Sequence, residues 1–300
     1  MERVKLNDNL EFSRLVHGYW RLMDWNLSNE ELVKLIEDVY DLGITTVDHA
    51  DIYGNFSCEE KFGEALKIKK GLREKLEIVT KCGIKFKSDK RPENKSHCYD
   101  TSMDHIIKSV ERSLKNFNTD YIDVLLIHRV DALLNPYEVS EAFSKLKKDG
   151  KVLNFGVSNF LPSQFNMLNS YLDDKLVTNQ VEISPLCLNA FEDGTLDLML
   201  EKRVKPMAWS PLAGGEIFKG KDERVVRVRK ALEKVRYEVS ANDIDEVIYA
   251  WLLMHPSKIM PIVGSGKLER IKSAVNGSKL KLTRDQWFKI YVASRGVDIP

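Results

Sequence analysis

No run of the chain approaches the roughly 18 apolar residues that a membrane-spanning helix needs, and Met1-Glu2-Arg3-Val4-Lys5 leads into no apolar stretch of the signal-peptide kind. Neither sign of charge prevails. Forty-six Lys and Arg against forty-five Asp and Glu leave a formal net charge of +1, so no bulk field draws nucleic acid or an anionic membrane. The four cysteines, Cys58, Cys82, Cys98 and Cys187, have no Cys-x-x-Cys spacing and are too sparse for a disulfide framework, which fits a reducing compartment. The expectation is a cytoplasmic protein with no nucleic-acid or membrane partner.

Several cofactor and metal signatures are also missing. A dinucleotide-binding Gly-x-Gly-x-x-Gly turn belongs after an early strand, and only Gly264-Ser265-Gly266 hints at one, far too late. A phosphate-binding P-loop fails because Lys267 is followed by Leu268 and Pro261 stands where the first glycine belongs. His49, Asp51, Lys81 and His128 are candidate rim ligands for a metal-dependent hydrolase, but no His-x-His pair and no further late-strand His or Asp ligands accompany them. No metal is expected.

What is present is an alternation of short apolar runs with longer segments of helical period, the pattern of a mostly parallel sheet covered by helices. Candidate strands are Arg14 to Tyr19, Thr45 to His49, Leu76 to Lys81, Tyr121 to His128, Leu153 to Ser158, Val177 to Glu182, Lys205 to Ser210 and Ile259 to Gly264. Eight such strands predict a (β/α)8 TIM barrel, with an N-terminal β-hairpin cover and extra C-terminal helices, spanning residues 1–300 as one domain. Ser28-Asn29-Glu30-Glu31 predicts a capped helix start, and Gly43 suits the left-handed residue at its end. Asn135-Pro136 repeats the logic. Three connections are long for this architecture, 84–100, 129–135 and 211–221; they follow strands three, four and seven, on the face where barrels build active sites.

Four polar residues sit at or just past the ends of three neighbouring apolar runs: Asp48, Tyr53, Lys81 and His128. Singly, each has an ordinary explanation as a buried cap, a loop aromatic, a rim charge or a satisfied imidazole. Together they suit one proton chemistry. A phenol titrates at about 10, and a neighbouring ammonium is expected to lower that value by stabilising phenolate. Asp48 would keep Lys81 charged, and His128 would hydrogen-bond both the phenol and a substrate oxygen. Nothing in the set supplies electrons, so a cofactor must.

This constellation resembles the aldo-keto reductase family. Asp48-His49-Ala50-Asp51-Ile52-Tyr53-Gly54 is similar to that family's Asp-x-Ala-x-x-Tyr segment, Val79-Thr80-Lys81 to its lysine strand, and Leu126-Ile127-His128 to its histidine strand. The resemblance covers nearly the whole chain and implies carbonyl reduction with NADP(H), Tyr53 being the proton donor. It implies nicotinamide contacts at Ser158, Asn159 and Gln180, and at Trp209 with Ser210 and Leu212 in Ala208-Trp209-Ser210-Pro211-Leu212. Gly264, Ser265, Gly266, Lys267 and Arg270 look like the adenosine-phosphate segment.

That last segment makes physical sense by itself, since Ser265 can cap a helix whose first amides bind phosphate, and Lys267 and Arg270 can pair a 2′-phosphate. Departures exist. Gly264 stands where many relatives carry a basic residue, Ala274 replaces an asparagine, and His49 replaces a small residue. Trp20 and Trp25, in the stretch after strand one, are expected to wall the substrate pocket. A nicotinamide-sensing binding protein on the same fold is the alternative to an enzyme.

Overall fold

Alternating burial folds the first residues into an antiparallel hairpin of β1 (Arg3–Asn7) and β2 (Leu10–Ser13) in the computed structural model, which describes residues 1–299. Val4, Leu10 and Phe12 of the hairpin join Val79, Val124, Leu126, Met207 and Met260 in one apolar cluster. Asn7 reaches Asn154 (2.7 Å), and Ser13 bonds the backbone at Thr45 and Thr46, so the hairpin closes the barrel at its strand starts. That leaves the opposite mouth free for chemistry.

β3 (Val16–Gly18), β4 (Thr46–Asp48) and β5 (Glu77–Cys82) open the barrel. The polar connection after β5 begins and ends in a small antiparallel pair, β6 (Ile84–Lys85) and β7 (Cys98–Tyr99). β8 (Ile122–Ile127), β9 (Val152–Ser158), β10 (Asn179–Glu182), β11 (Met207–Trp209) and β12 (Met260–Val263) complete it. The eight strands β3, β4, β5, β8, β9, β10, β11 and β12 form a closed ring in which every pair of neighbours is parallel. This is the (β/α)8 fold that the alternation predicts.

Helices cover the ring because their apolar stripes have nowhere else to go. Ser28 and Glu31 form the expected reciprocal cap on the Asn29–Asp41 helix, which buries Leu32, Leu35, Ile36 and Val39 and reaches Gly43 at φ +84°. Each such buried aliphatic side chain contributes about 1.5–3 kcal/mol. Asn135 caps Pro136–Lys148, and Thr283 caps the added C-terminal helix Arg284–Arg295. Strand pairing stops earlier than the apolar runs do. β4 ends at Asp48 and β8 at Ile127, yet the next amides, His49 and His128, still bond Val79 and Cys82 carbonyls at 2.8 Å each. Those bonds fix the residues that turn into the mouth.

Candidate active site

At the C-terminal mouth, the Lys81 side chain is fully buried, and its three N–H donors face four acceptors. Nζ lies 2.8 and 2.9 Å from the two Asp48 oxygens, 2.7 Å from the His49 carbonyl and 3.1 Å from the Tyr53 hydroxyl. Adjacent parallel strands make this possible: Asp48 pairs in register with Val79, two residues before Lys81 on β5. Burial opposes the Lys81 charge, but Asp48 and Tyr53 outweigh it and hold the ammonium above its ordinary pKa. Gln180 joins from the far side of the ring, where Nε2 donates to Asp48 Oδ1 at 2.7 Å.

The balance at Tyr53 differs from the sequence expectation. Burial pushes the phenol up, Lys81 pulls it down only in part, and Asp48 adds to the rise, so its pKa stands above the ordinary value. A group so placed stays protonated through neutral pH.

The chain reaches Tyr53 through a tight turn, Tyr53 N–H to Ala50 carbonyl (3.1 Å), then passes three left-handed residues, Gly54, Asn55 and Phe56, at φ 56°, 52° and 64°. A bulky residue there costs about 1–2 kcal/mol. Phe86 (4.8 Å between rings) and the Arg91 guanidinium (4.8 Å) pack on Phe56, so the 84–100 connection braces the turn that presents the phenol.

His128 is buried, its ring edge-on to Tyr53 with 5.9 Å between centroids and its Nδ1 without a partner. The Tyr53 hydroxyl bonds Lys81. Burial first, then the Lys81 and Arg129 charges, hold the His128 imidazole neutral.

Beside this relay lies a polar shelf. Ser158 Oγ and the Asn159 amide both donate to the Gln180 carbonyl at 2.9 Å, and Asn159 Nδ2 donates to Ser158 Oγ at 2.8 Å. Asn159, at φ +61°, also accepts from Trp209 Nε1 (2.9 Å), which fixes the indole at the rim. Ser210, left-handed at φ +49°, then turns the chain so that the Ala213 amide reaches its carbonyl (2.8 Å), with Leu212 half-buried between them.

After β12, the exposed Gly264 has no atom within 4 Å of where a β-carbon would sit. The following helix, Leu268–Gly277, starts at Lys267 without a side-chain cap. Ser265 is thus not the cap expected from sequence: its hydroxyl accepts from the Lys267 amide (3.2 Å), two residues on, in a local turn. The Leu268 and Glu269 amides of the first turn, the open Gly264 backbone and the exposed cations Lys267 and Arg270 fit a phosphate-bearing cofactor.

The two tryptophans part company. Trp20 stands 59% exposed at the mouth, whereas Trp25 is turned against Gly266, where a β-carbon would come within 2.5 Å of its ring, and stacks on His17 at 5.8 Å. His17, which the sequence did not single out, bonds Tyr19 Oη and the Ser265 carbonyl at 2.9 Å each. It ties β3 to the Gly264–Lys267 turn. Among the described residues no group of three or more His, Cys, Asp or Glu is placed to hold a metal ion.

His49 lies in an aromatic box, stacked on Tyr19 (4.7 Å) and edge-on to Phe62 (4.5 Å) and Phe117 (5.0 Å), with neither ring nitrogen hydrogen-bonded. Burial holds it, like His128, well below 6.5, and takes His17 to about 4. Such groups add a proton only on unfolding. Their stabilising contribution is therefore full above the unfolded value of 6.5 and is lost as pH falls below it, for His17 down to about 4. His49→Phe keeps the box and removes one such proton, so less stability should be lost between pH 7 and pH 5 than in wild type, read by urea unfolding. An unchanged pH dependence would mean His49 is not held neutral.

The barrel, with this buried lysine cluster and polar shelf at its mouth, defines a protein class. The sequence matches the Aldo/keto reductase family over residues 14–293, and the chain belongs to that family. It is an oxidoreductase of a kind that uses a nicotinamide cofactor on small carbonyl compounds. The chain is 57% identical over its full length and that of its relative to the uncharacterized oxidoreductase YcsN of Bacillus subtilis. It is 43% identical, again over the whole of both chains, to a 6-dehydroglucose reductase of Agrobacterium fabrum. Among solved structures, a thermostable aldo-keto reductase crystallised with the inhibitor epalrestat superposes with a TM-score of 0.81, at 25% identity, over 98% of this chain and 100% of that one. No helix among the described residues is long and apolar enough to cross a membrane.

Proposed function

We propose that the chain, acting as one barrel unit, reduces an aldehyde or ketone to the alcohol with NADPH, Tyr53 being the proton donor. The observation that carries this is the Lys81 ammonium, clamped by both Asp48 oxygens and 3.1 Å from the Tyr53 hydroxyl. A bound nicotinamide supplies the hydride. Tyr53 gives its hydroxyl proton to the carbonyl oxygen as negative charge develops there, and Lys81 stabilises the phenolate left behind. Asp48, itself held by Gln180, keeps the ammonium in place. The neutral His128 orients the carbonyl oxygen. Ser158, Asn159, Gln180 and Trp209, flanked by Ser210 and Leu212, form the nicotinamide shelf, and Gly264, Ser265, Gly266, Lys267 and Arg270 the adenosine-phosphate end.

The test is NADPH binding by fluorescence quenching, followed by NADPH consumption with a panel of aldehydes and ketones. Binding with turnover supports the enzyme. Binding without turnover of any carbonyl supports a nicotinamide sensor instead. The name of the 43% identical relative puts sugar-like aldehydes first in the panel.

NADPH preference rests on Arg270 and Lys267, exposed one helical turn apart beside the open Gly264 backbone. Arg270→Ala should weaken NADPH roughly tenfold or more, the loss of a charge-assisted bond, while NADH changes by less than about twofold. Equal weakening of both in a fluorescence titration would remove the 2′-phosphate role.

A further inference from the structure

One cation at the mouth makes no hydrogen bond or ion pair to Asp48, Tyr53, Lys81 or His128. Arg129 follows His128 directly, so its backbone is placed by the His128 amide bond to Cys82 (2.8 Å). Its side chain is half-buried, with the guanidinium carbon 5.7 Å from the centre of the Trp209 ring. Every short ion pair among the described residues lies elsewhere: no carboxylate comes within 4.0 Å of this guanidinium. Glu182, on β10, feels the Arg129 charge but does not pair with it.

A guanidinium offers five N–H donors in a rigid fork, and partial burial without a carboxylate leaves donor capacity that water or a ligand must satisfy. Its cation–π contact with the indole leaves those N–H groups without an acceptor. Three strands round the rim, Trp20 is 59% exposed with the Arg21 guanidinium 5.2 Å over its ring. Two indole–guanidinium pairs therefore flank the mouth. This surface matches a small oxygen-rich molecule better than an aliphatic one: C–H faces rest on indole, and oxygens meet donors.

Resting on the carbonyl-reductase reading above, we propose that Arg129 is a specificity-determining residue. It selects carbonyl substrates that carry oxygen acceptors, hydroxyl or carboxylate, on the carbons next to the reacting one. Its position between His128, which would orient the carbonyl oxygen, and Trp209 of the proposed nicotinamide shelf would put the fork beside those carbons.

The experiment compares kcat/KM of wild type, Arg129→Met and Arg129→Lys on glyceraldehyde, glyoxylate and benzaldehyde, with NADPH affinity measured separately by fluorescence quenching. Arg129→Met should lose roughly 10- to 100-fold more on glyceraldehyde and glyoxylate than on benzaldehyde, the size of a lost charged hydrogen bond, through KM more than kcat. Arg129→Lys, keeping charge without the fork, should recover glyoxylate better than glyceraldehyde. A loss confined to glyoxylate in Arg129→Met assigns the site to carboxylates, and a loss on both to oxygen acceptors in general; either supports the proposal. Equal losses on all three substrates, or a drop in NADPH affinity that accounts for them, would overturn it. Failure of wild type to reduce any of the three while binding NADPH would instead strike the reductase reading, and this proposal with it.

Discussion

Tyr53→Phe is expected to lower kcat by roughly 10²-fold or more while leaving the NADPH dissociation constant within about twofold of wild type. The substitution removes one oxygen from a half-buried ring and leaves the apolar packing of that ring intact. Among the described residues it also deletes the only Lys81 partner that carries a transferable proton, since the others are the Asp48 carboxylate and the His49 carbonyl. Because burial raises the Tyr53 pKa despite Lys81, the phenol remains protonated through neutral pH. The kcat of wild type should therefore show no loss from this group until pH passes the ordinary tyrosine value of about 10. Stopped-flow absorbance of NADPH across pH checks both statements. An undiminished kcat in the variant would take the donor role from Tyr53.

Lys81→Met should do more damage, because it harms fold and chemistry together. The ammonium is fully buried and Asp48 is 3% exposed, so truncation strands a carboxylate in low dielectric with Gln180 as its remaining side-chain donor. Breaking such a pair costs about 3–5 kcal/mol. Turnover should fall at least as far as in Tyr53→Phe, since the developing phenolate then meets no cation. Adding Asp48→Asn to Lys81→Met removes the stranded charge. The double variant should regain much of the stability in urea unfolding and none of the activity. Recovery of both, or of neither, would separate the electrostatic account from the data.

The barrel was legible because its signals are local: capped helix starts at Ser28 and Asn135, a left-handed stop at Gly43, and apolar runs that end in polar residues. The proximity of Asp48, Tyr53 and Lys81 followed from strand order, because β4, β5 and β8 are consecutive neighbours in the ring. Contacts across the ring were not legible. Gln180 and Asp48 stand 132 residues apart on strands four places apart in an eight-strand ring, and sequence spacing does not index that relation. The β6–β7 pair escaped notice because two-residue strands carry no periodicity. Trp25 turned to Gly266 because loop direction depends on what packs beneath it, here His17 and Tyr19. The sign at Tyr53 came out opposite to expectation for a similar reason: a charge partner can be read from sequence, but the depth of burial that competes with it cannot.

The central claim is that hydride and proton meet at one carbonyl in this mouth, the proton coming from Tyr53. Its most direct test is turnover of an aldehyde with NADPH deuterated at the transferable C4 position, followed by NMR of the alcohol. One deuteron on the carbinol carbon for each NADPH consumed, with Tyr53→Phe slowed by roughly 10²-fold, is the expected result. An alcohol without deuterium, or no alcohol from any carbonyl tried, would contradict it.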